Sequence, residues 1–188
     1  MKIVLVISSV FFAVCSYGQL VTSTAQTPNG LVQNVLLGQG VTVSNIQYSG
    51  TSTSIGSFTA AGTNLGIASG IVMTTGTVLN NGNGPQGPNN ASGSGIDNGT
   101  PGSPLLSNLI GGTATHNAAI LQFDFITYSD TVRFKYVFGS EEYPEYVGST
   151  FNDVFAFFIS GPGIAGGQQN IAKLPNGQPV TINNVNSG

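Results

Sequence analysis

Apolar and polar residues alternate with a period of two along much of this chain, as in β-strands that bury one face. The clearest case runs from Ala118 to Phe138, on both sides of a polar turn at 128–130. Its alternate apolar residues are Leu121, Phe123 and Phe125 before the turn, then Val132, Phe134, Tyr136 and Phe138 after it. Two such runs with a short link predict an antiparallel hairpin, with Asp124 facing Arg133 or Lys135 across it.

Four shorter runs predict further strands. Residues 41–48 alternate with a slip of one position after Val43, and residues 70–79 contain two groups of β-branched and apolar residues. Residues 154–159 are apolar at every position, which favours a strand covered on both faces, as at the centre of a sandwich. Residues 180–185 begin another alternating strand.

Turn residues rather than helical periods separate these runs. Residues 80–104 form a Gly/Asn/Pro-rich stretch that predicts a surface or binding loop, and residues 105–110 predict a single helical turn. The pattern therefore predicts an all-β fold, an antiparallel β-sandwich of jelly-roll type with the 118–138 hairpin beside the 154–159 strand. Because the sequence stops just after the strand that begins at 180, we expect this sandwich to be incomplete at its C-terminus.

The first 18 residues have the layout of a secretory signal peptide. A short basic start is followed by an apolar run, and Ser16 and Gly18 place small residues before a cleavage point at Gln19. The apolar run is shorter than the roughly 20 residues that a membrane span needs. Lipidation at Cys15 is the alternative, but the bulky Val14 disfavours it. We therefore expect a mature domain over residues 19–188, located outside the cell or on its outer surface, without cysteine or a transmembrane segment.

Charged residues are scarce, which excludes one class of partner. The chain has seven acidic and four basic residues, so its formal net charge is −3. Its few cations cannot neutralise the phosphates that a nucleic-acid protein must contact. The sequence instead favours an extracellular ligand, a glycan or a protein, whose identity it does not reveal.

The acidic residues are concentrated in one short segment. Three glutamates and the pair Asn152–Asp153 lie within thirteen residues, although the chain holds only seven acids. The candidate ligands are Glu141, Glu142, Glu145, Asn152 and Asp153. Carboxylate and amide oxygens suit Ca²⁺, which takes six to eight oxygen ligands and would offset the repulsion of clustered carboxylates.

Two other interpretations of this cluster stay open. The carboxylates would equally cap turns by accepting backbone N–H groups, or two of them would act as a general acid and base, as in glycoside hydrolases. His116 is the only histidine and fits a surface residue, and no nucleophile, zinc or phosphate-binding motif occurs. We therefore assign no catalytic residue and expect no cofactor other than Ca²⁺.

Two long motifs resemble the choice-of-anchor L domain: Phe138 to Val147, and Phe151 to Gly163. Residues 70–76, 121–125 and 182–186 are also similar to that family. The resemblance implies a surface or secreted bacterial protein whose C-terminus carries an anchoring or sorting tail, often a type IX secretion signal in Gram-negative examples. The chain departs from the family pattern at Ser103 and Asn117, where relatives often carry acidic residues.

The leading hypothesis is an exported, non-enzymatic recognition or adhesion module that Ca²⁺ stabilises. The first alternative is a secreted hydrolase domain that uses Glu142 or Glu145 with Asp153. The second is a structural spacer that displays other domains.

Overall fold

The computed structural model describes residues 20–79, 96–140 and 142–185. The strands within these ranges are β1 Val21–Ser23, β2 Val41–Ser49, β3 Ile55–Thr59, β4 Ser69–Met73, β5 Ile120–Thr127, β6 Val154–Phe155, β7 Phe158–Ser160, β8 Gln168–Asn170 and β9 Val180–Thr181. The helical turns are α1 Pro28–Leu31, which continues as a π-helical turn at Val32–Leu36, α2 Pro104–Leu109 and α3 Ile182–Val185.

All strand pairs are antiparallel, which confirms the predicted all-β class. The described strands form one sheet of three, β1-β3-β4, and three pairs: β2-β5, β6-β9 and β7-β8. The predicted helical turn at 105–110 is confirmed as α2. The sandwich arrangement stays a prediction, and the predicted signal peptide and residues 80–95 of the predicted loop lie outside the described residues.

The three-stranded sheet carries the largest buried cluster. Strand β3 lies between β1 and β4, and Gly56 allows β1 to approach, since a Cβ there would lie 2.5 Å from the Ser23 carbonyl oxygen. Thr27 caps helix α1 by accepting a hydrogen bond from the Gly30 N–H at 3.2 Å. That helix sits against β3, and the fully buried apolar side chains of this region are Leu31, Val32 and Val78.

The predicted slip in β2 is confirmed as a β-bulge. Val43 pairs with Phe125 and Gln47 with Gln122, so β2 carries one residue more than β5 between those pairs. Asn45 occupies the bulge at a φ of 53°, a left-handed conformation that asparagine tolerates better than most residues. The extra residue restores the inward orientation of the apolar side chains that follow.

The predicted 118–138 hairpin is wrong. Strand β5 pairs with β2 instead, and residues 131–140 have no regular secondary structure. Asp124 does not face Arg133 or Lys135, because its Oδ2 accepts a hydrogen bond from the Asn45 side-chain amide at 2.6 Å. Alternation identified a strand correctly here but did not identify its partner, which lies about 80 residues earlier in the chain.

The predicted strand at 154–159 is divided in two, and its residues are half-buried rather than enclosed. Strand β6 pairs with β9 and β7 with β8, while residues 156–157 pair with neither. At this break the Phe157 N–H donates to the Asn170 side-chain oxygen at 3.1 Å. The side chain replaces a backbone acceptor for this N–H, while the Phe157 carbonyl still accepts the Ile171 N–H at 2.8 Å.

The predicted strand at 180–185 ends after two residues. Helix α3 follows, and Thr181 accepts a hydrogen bond from the Asn184 N–H at 3.2 Å, as a helix cap does. The strand predicted at 70–79 is confirmed only as far as Met73, after which residues 74–79 turn.

Candidate functional site

The acidic segment forms a compact loop between residues 140 and 153. Consecutive turns close it, with the Tyr146 N–H donating to the Glu142 carbonyl at 2.9 Å and the Ser149 N–H to the Tyr146 carbonyl at 2.9 Å. Gly148 has a φ of 79°, which glycine adopts without cost, and its N–H donates to the Asn183 side chain at 2.6 Å. The loop is therefore fastened to the end of the chain that follows β9.

Asp153 and Asn152 bridge the loop and helix α3. The Asp153 carbonyl accepts the Ile182 N–H at 3.1 Å, and the Asn152 side-chain oxygen accepts the Asn183 N–H at 3.1 Å. These contacts orient two consecutive oxygen-bearing side chains at the entrance to β6. We call this arrangement of residues 140, 142, 152, 153 and 183 the acidic corner.

One hydroxyl connects Asp153 to the start of the loop. Ser140 donates its Oγ–H to the Asp153 carboxylate at 3.0 Å and accepts the Glu142 N–H at 3.3 Å. Glu142 is half-buried as a residue, and its Oε2 atom is shielded from solvent. Asp153 and the backbone of Glu142 are therefore held on opposite sides of the same serine.

The structure brings some of the sequence-predicted ligands together and leaves others apart. Glu142, Asn152 and Asp153 belong to the acidic corner, whereas Glu145 is exposed on the loop and Glu141 lies outside the described residues. Among the residues described, no group of three or more histidine, cysteine, aspartate or glutamate side chains is arranged to hold a metal ion. A cation at this corner would depend on amide, backbone or water oxygens as well as on carboxylates.

The sequence analysis missed the contribution of Ser140 and Asn183. Ser140 is separated from Asp153 by twelve residues and Asn183 from Asn152 by thirty, and neither spacing follows a motif. Their roles arise because residues 140, 153 and 182 meet in the fold.

A second polar cluster lies at the start of the segment that leads to β5. Asp97 Oδ1 accepts hydrogen bonds from the Gly99 N–H and the Asn117 side-chain amide, both at 2.9 Å. The Asn117 hydrogen bond, then that of Gly99 and the nearby His116, hold the pKa of the Asp97 carboxyl below its ordinary value. Together with Thr100 and Pro101, these residues line an open cleft of about 410 Å³.

Local backbone conformation supports this cluster at both ends. Aspartate two residues before glycine favours an Asx turn, and Asn117 has a φ of 53°, which asparagine supports more readily than most residues. Asn117 serves here as a donor to Asp97 and an acceptor from Thr100, two roles that its amide NH₂ and its carbonyl oxygen fill separately.

Comparison with known proteins identifies the family. The choice-of-anchor L domain model matches residues 20–188, so the chain belongs to the choice-of-anchor L domain family. Membership implies a bacterial protein of the cell surface or the extracellular space. No curated protein and no solved structure is significantly similar to the chain. None of the helices in the described ranges is long and apolar enough to cross a membrane.

Proposed function

We propose that the chain is an exported, non-enzymatic recognition or adhesion module whose acidic corner binds Ca²⁺. The observation that carries the Ca²⁺ proposal is that the side chains of Asp153 and Asn152 and the backbone of Glu142 are linked through Ser140 and helix α3. Family membership supports the surface location, and the sequence of residues 1–18 supports export, with a mature N-terminus at Gln19 that mass spectrometry of the native protein would check.

The chemistry of the corner suits a hard cation. Asp153 offers a carboxylate, Asn152 an amide oxygen that keeps one lone pair after accepting the Asn183 N–H, and Glu142 a second carboxylate. The neighbouring backbone carbonyls and Glu141 are the further oxygen ligands that six- to eightfold coordination would draw on.

A bound cation would compensate for a weakness of this part of the fold. Strands β6 and β9 share only two residue pairs, and the corner lies where β6 begins and β9 ends. A ligand that binds only the folded state stabilises it by about 2.7 kcal/mol at a hundredfold excess over Kd. That is a substantial part of the roughly 5–15 kcal/mol by which domains are stable.

Thermal unfolding with Ca²⁺ and with a chelator tests this proposal. We expect Ca²⁺ to raise the Tm of the chain, Mg²⁺ to raise it less because it demands stricter geometry, and Asp153→Asn to abolish the response. Asp130→Asn, which removes an exposed carboxylate from the turn after β5, is the matched control and should respond as the parent does.

Two results would contradict the proposal. Equal Tm values with Ca²⁺ and chelator would return the acidic residues to a purely structural role. Turnover of a glycan or peptide by the purified chain, lost in Glu142→Gln or Glu145→Gln with unchanged Tm, would show an enzyme instead of a recognition module.

A further inference from the structure

We infer that residues 132–138 form an open strand edge that binds an extended acidic peptide of a partner protein. This inference rests on the proposed recognition role and adds the chemistry of the partner. It does not depend on Ca²⁺, because the acidic corner and this edge are different sites.

The backbone of this segment is available for pairing. No backbone N–H or carbonyl of residues 132–139 forms a hydrogen bond with another described residue, although strands lie on both sides in sequence. Residues 132–137 are all exposed. Their backbone groups therefore have no backbone partner among the described residues, and an added strand would satisfy them while keeping the side chains in place.

Side-chain contacts give the segment the order of a strand. Phe134 stacks on Phe157 with ring centroids 4.0 Å apart, and Tyr136 lies 5.1 Å from Phe155. Going forward from Phe134 to Tyr136, the contacts go backward from Phe157 to Phe155. Cross-strand neighbours in an antiparallel arrangement have this order. The segment is held in register against residues 155–157 by rings rather than by backbone hydrogen bonds.

The two faces of the segment differ in chemistry. Phe134 and Tyr136 are engaged with the phenylalanines, so the opposite face presents Arg133, Lys135 and Val137. Two of the three basic residues in the described ranges are therefore on one face of this segment, separated by one residue. No acidic side chain of the described residues forms a salt bridge with either, and Asp124 is bonded to Asn45.

This charge pattern selects the partner. Two copies of the chain that paired antiparallel through this segment would bring Arg133 and Lys135 next to the same cations of the other copy. Like charges placed opposite one another destabilise a strand pair. A strand with carboxylates at alternate positions places an anion opposite each cation and completes the backbone ladder, which is the usual mode of β-strand addition.

Fluorescence anisotropy with labelled peptides tests this inference on the chain. The probes are a nonapeptide that alternates glutamate and valine, the same peptide with lysine in place of glutamate, and the glutamate peptide N-methylated at every residue. We expect the glutamate peptide to bind at least about tenfold more tightly than the lysine peptide, since each cross-strand ion pair favours binding and each like-charged pair opposes it. The N-methylated peptide should not bind, because it cannot form the ladder.

Charge reversal provides the matched variants. Arg133→Glu combined with Lys135→Glu should reverse the preference between the two peptides, whereas Lys173→Glu, which reverses the third exposed cation, should leave it unchanged. Circular dichroism and the Ca²⁺ response of Tm on the same samples show whether the variants remain folded. A reversed preference with an intact Ca²⁺ response would support the edge independently of the acidic corner.

Three results would overturn the inference. Equal binding of the glutamate and lysine peptides, or undiminished binding of the N-methylated peptide, would exclude strand addition with charge selection. If the chain dimerises and Val137→Pro abolishes the dimer, a second copy of the chain would be the occupant of the edge at residues 132–138. If Ca²⁺ does not change the Tm of the parent chain but the glutamate peptide still binds, the Ca²⁺ proposal is refuted and the peptide inference stands.

Discussion

Strand β3 at residues 55–59 has a neighbour on each side, whereas β5 at residues 120–127 has one neighbour, β2, among the described strands. The region around β3, residues 20–79, buries Leu31, Val32 and Val78 completely. The region from 120 to 185 buries Ile182 next to β9. Several of its aromatic side chains remain in contact with water, among them Phe134, which is 38% exposed, and Phe151, which is 58% exposed.

The comparison shows two ways of holding β structure in one disulfide-free chain. Apolar burial stabilises the N-terminal region through area removed from water, at about 25 cal/mol per Å². In the C-terminal region, pairs of two or three residues, ring stacking and side-chain hydrogen bonds to the backbone connect the segments. A region that depends on short strand pairs, ring stacking and side-chain hydrogen bonds gains the most stability from a bound ion or a partner strand.

Truncation of a core residue is the largest expected effect and tests the first half of this comparison. Leu31→Ala should lower the free energy of unfolding by about 2–5 kcal/mol, because it leaves a cavity between α1 and the β3 sheet. Urea denaturation measures it. Leu36→Ala, which shortens a partly exposed leucine of the adjacent π-helical turn, is the control and should cost clearly less. Equal losses in the two variants would show that Leu31 is not in a close-packed core.

A polar substitution tests the second half. The Asn170 side-chain oxygen accepts the N–H groups of Phe157 and Ala172 at 3.1 and 3.0 Å, so Asn170→Ala leaves two half-buried donors without their acceptor. We expect a loss of about 1–3 kcal/mol in the free energy of unfolding. Gln169→Ala removes an exposed neighbouring amide and should change stability by less than about 0.5 kcal/mol. A neutral Asn170→Ala would mean that water replaces the amide and that the strand break is not held by this side chain.

The same contrast explains what the sequence predicted. Local pattern was sufficient where neighbouring residues decide the structure: the bulge at Asn45, the turn at 104–109 and the alternation of β5. It failed where distant residues decide. The partner of β5, the break at Phe157 opposite Asn170 and the capping of α3 by Thr181 all depend on segments that the fold brings together, and hydrophobic periodicity carries no information about those contacts.

The candidate site divides in the same way. Composition alone identified the segment that contains Glu142 and Asp153, since acids are rare in this chain. It did not identify Ser140 or Asn183, because neutral side chains leave no charge signal and act here only through their position. Asp97 was missed for another reason. It is a single acid outside the acidic segment at 141–153, and its partner Asn117 lies twenty residues away in sequence and meets it only in the fold.

The smallest expected effect concerns the pH dependence of the N-terminal region. Asp97 precedes Asn98, whose side-chain amide donates to the Ser54 hydroxyl and to the carbonyls of Thr75 and Gly76 near the β3–β4 end of the sheet. Its pKa is lowered in the folded protein, chiefly by the Asn117 hydrogen bond. A lowered pKa means that the ionised form favours folding. Its contribution is therefore complete above the unfolded-state pKa of about 3.9 and is lost as the pH falls through the lower folded-state value.

We therefore expect Asp97→Asn to lower Tm slightly at pH 7, with a difference from the parent that shrinks below about pH 4. Because Asp97 is fully exposed, solvent screens the effect, and added salt should reduce it further. Scanning calorimetry between pH 3 and pH 7 measures the difference, and Asp130→Asn controls for the loss of one exposed negative charge without a contact to Asn117 or Gly99. A Tm difference that stays constant down to pH 3 would show that the Asp97 charge does not stabilise the fold.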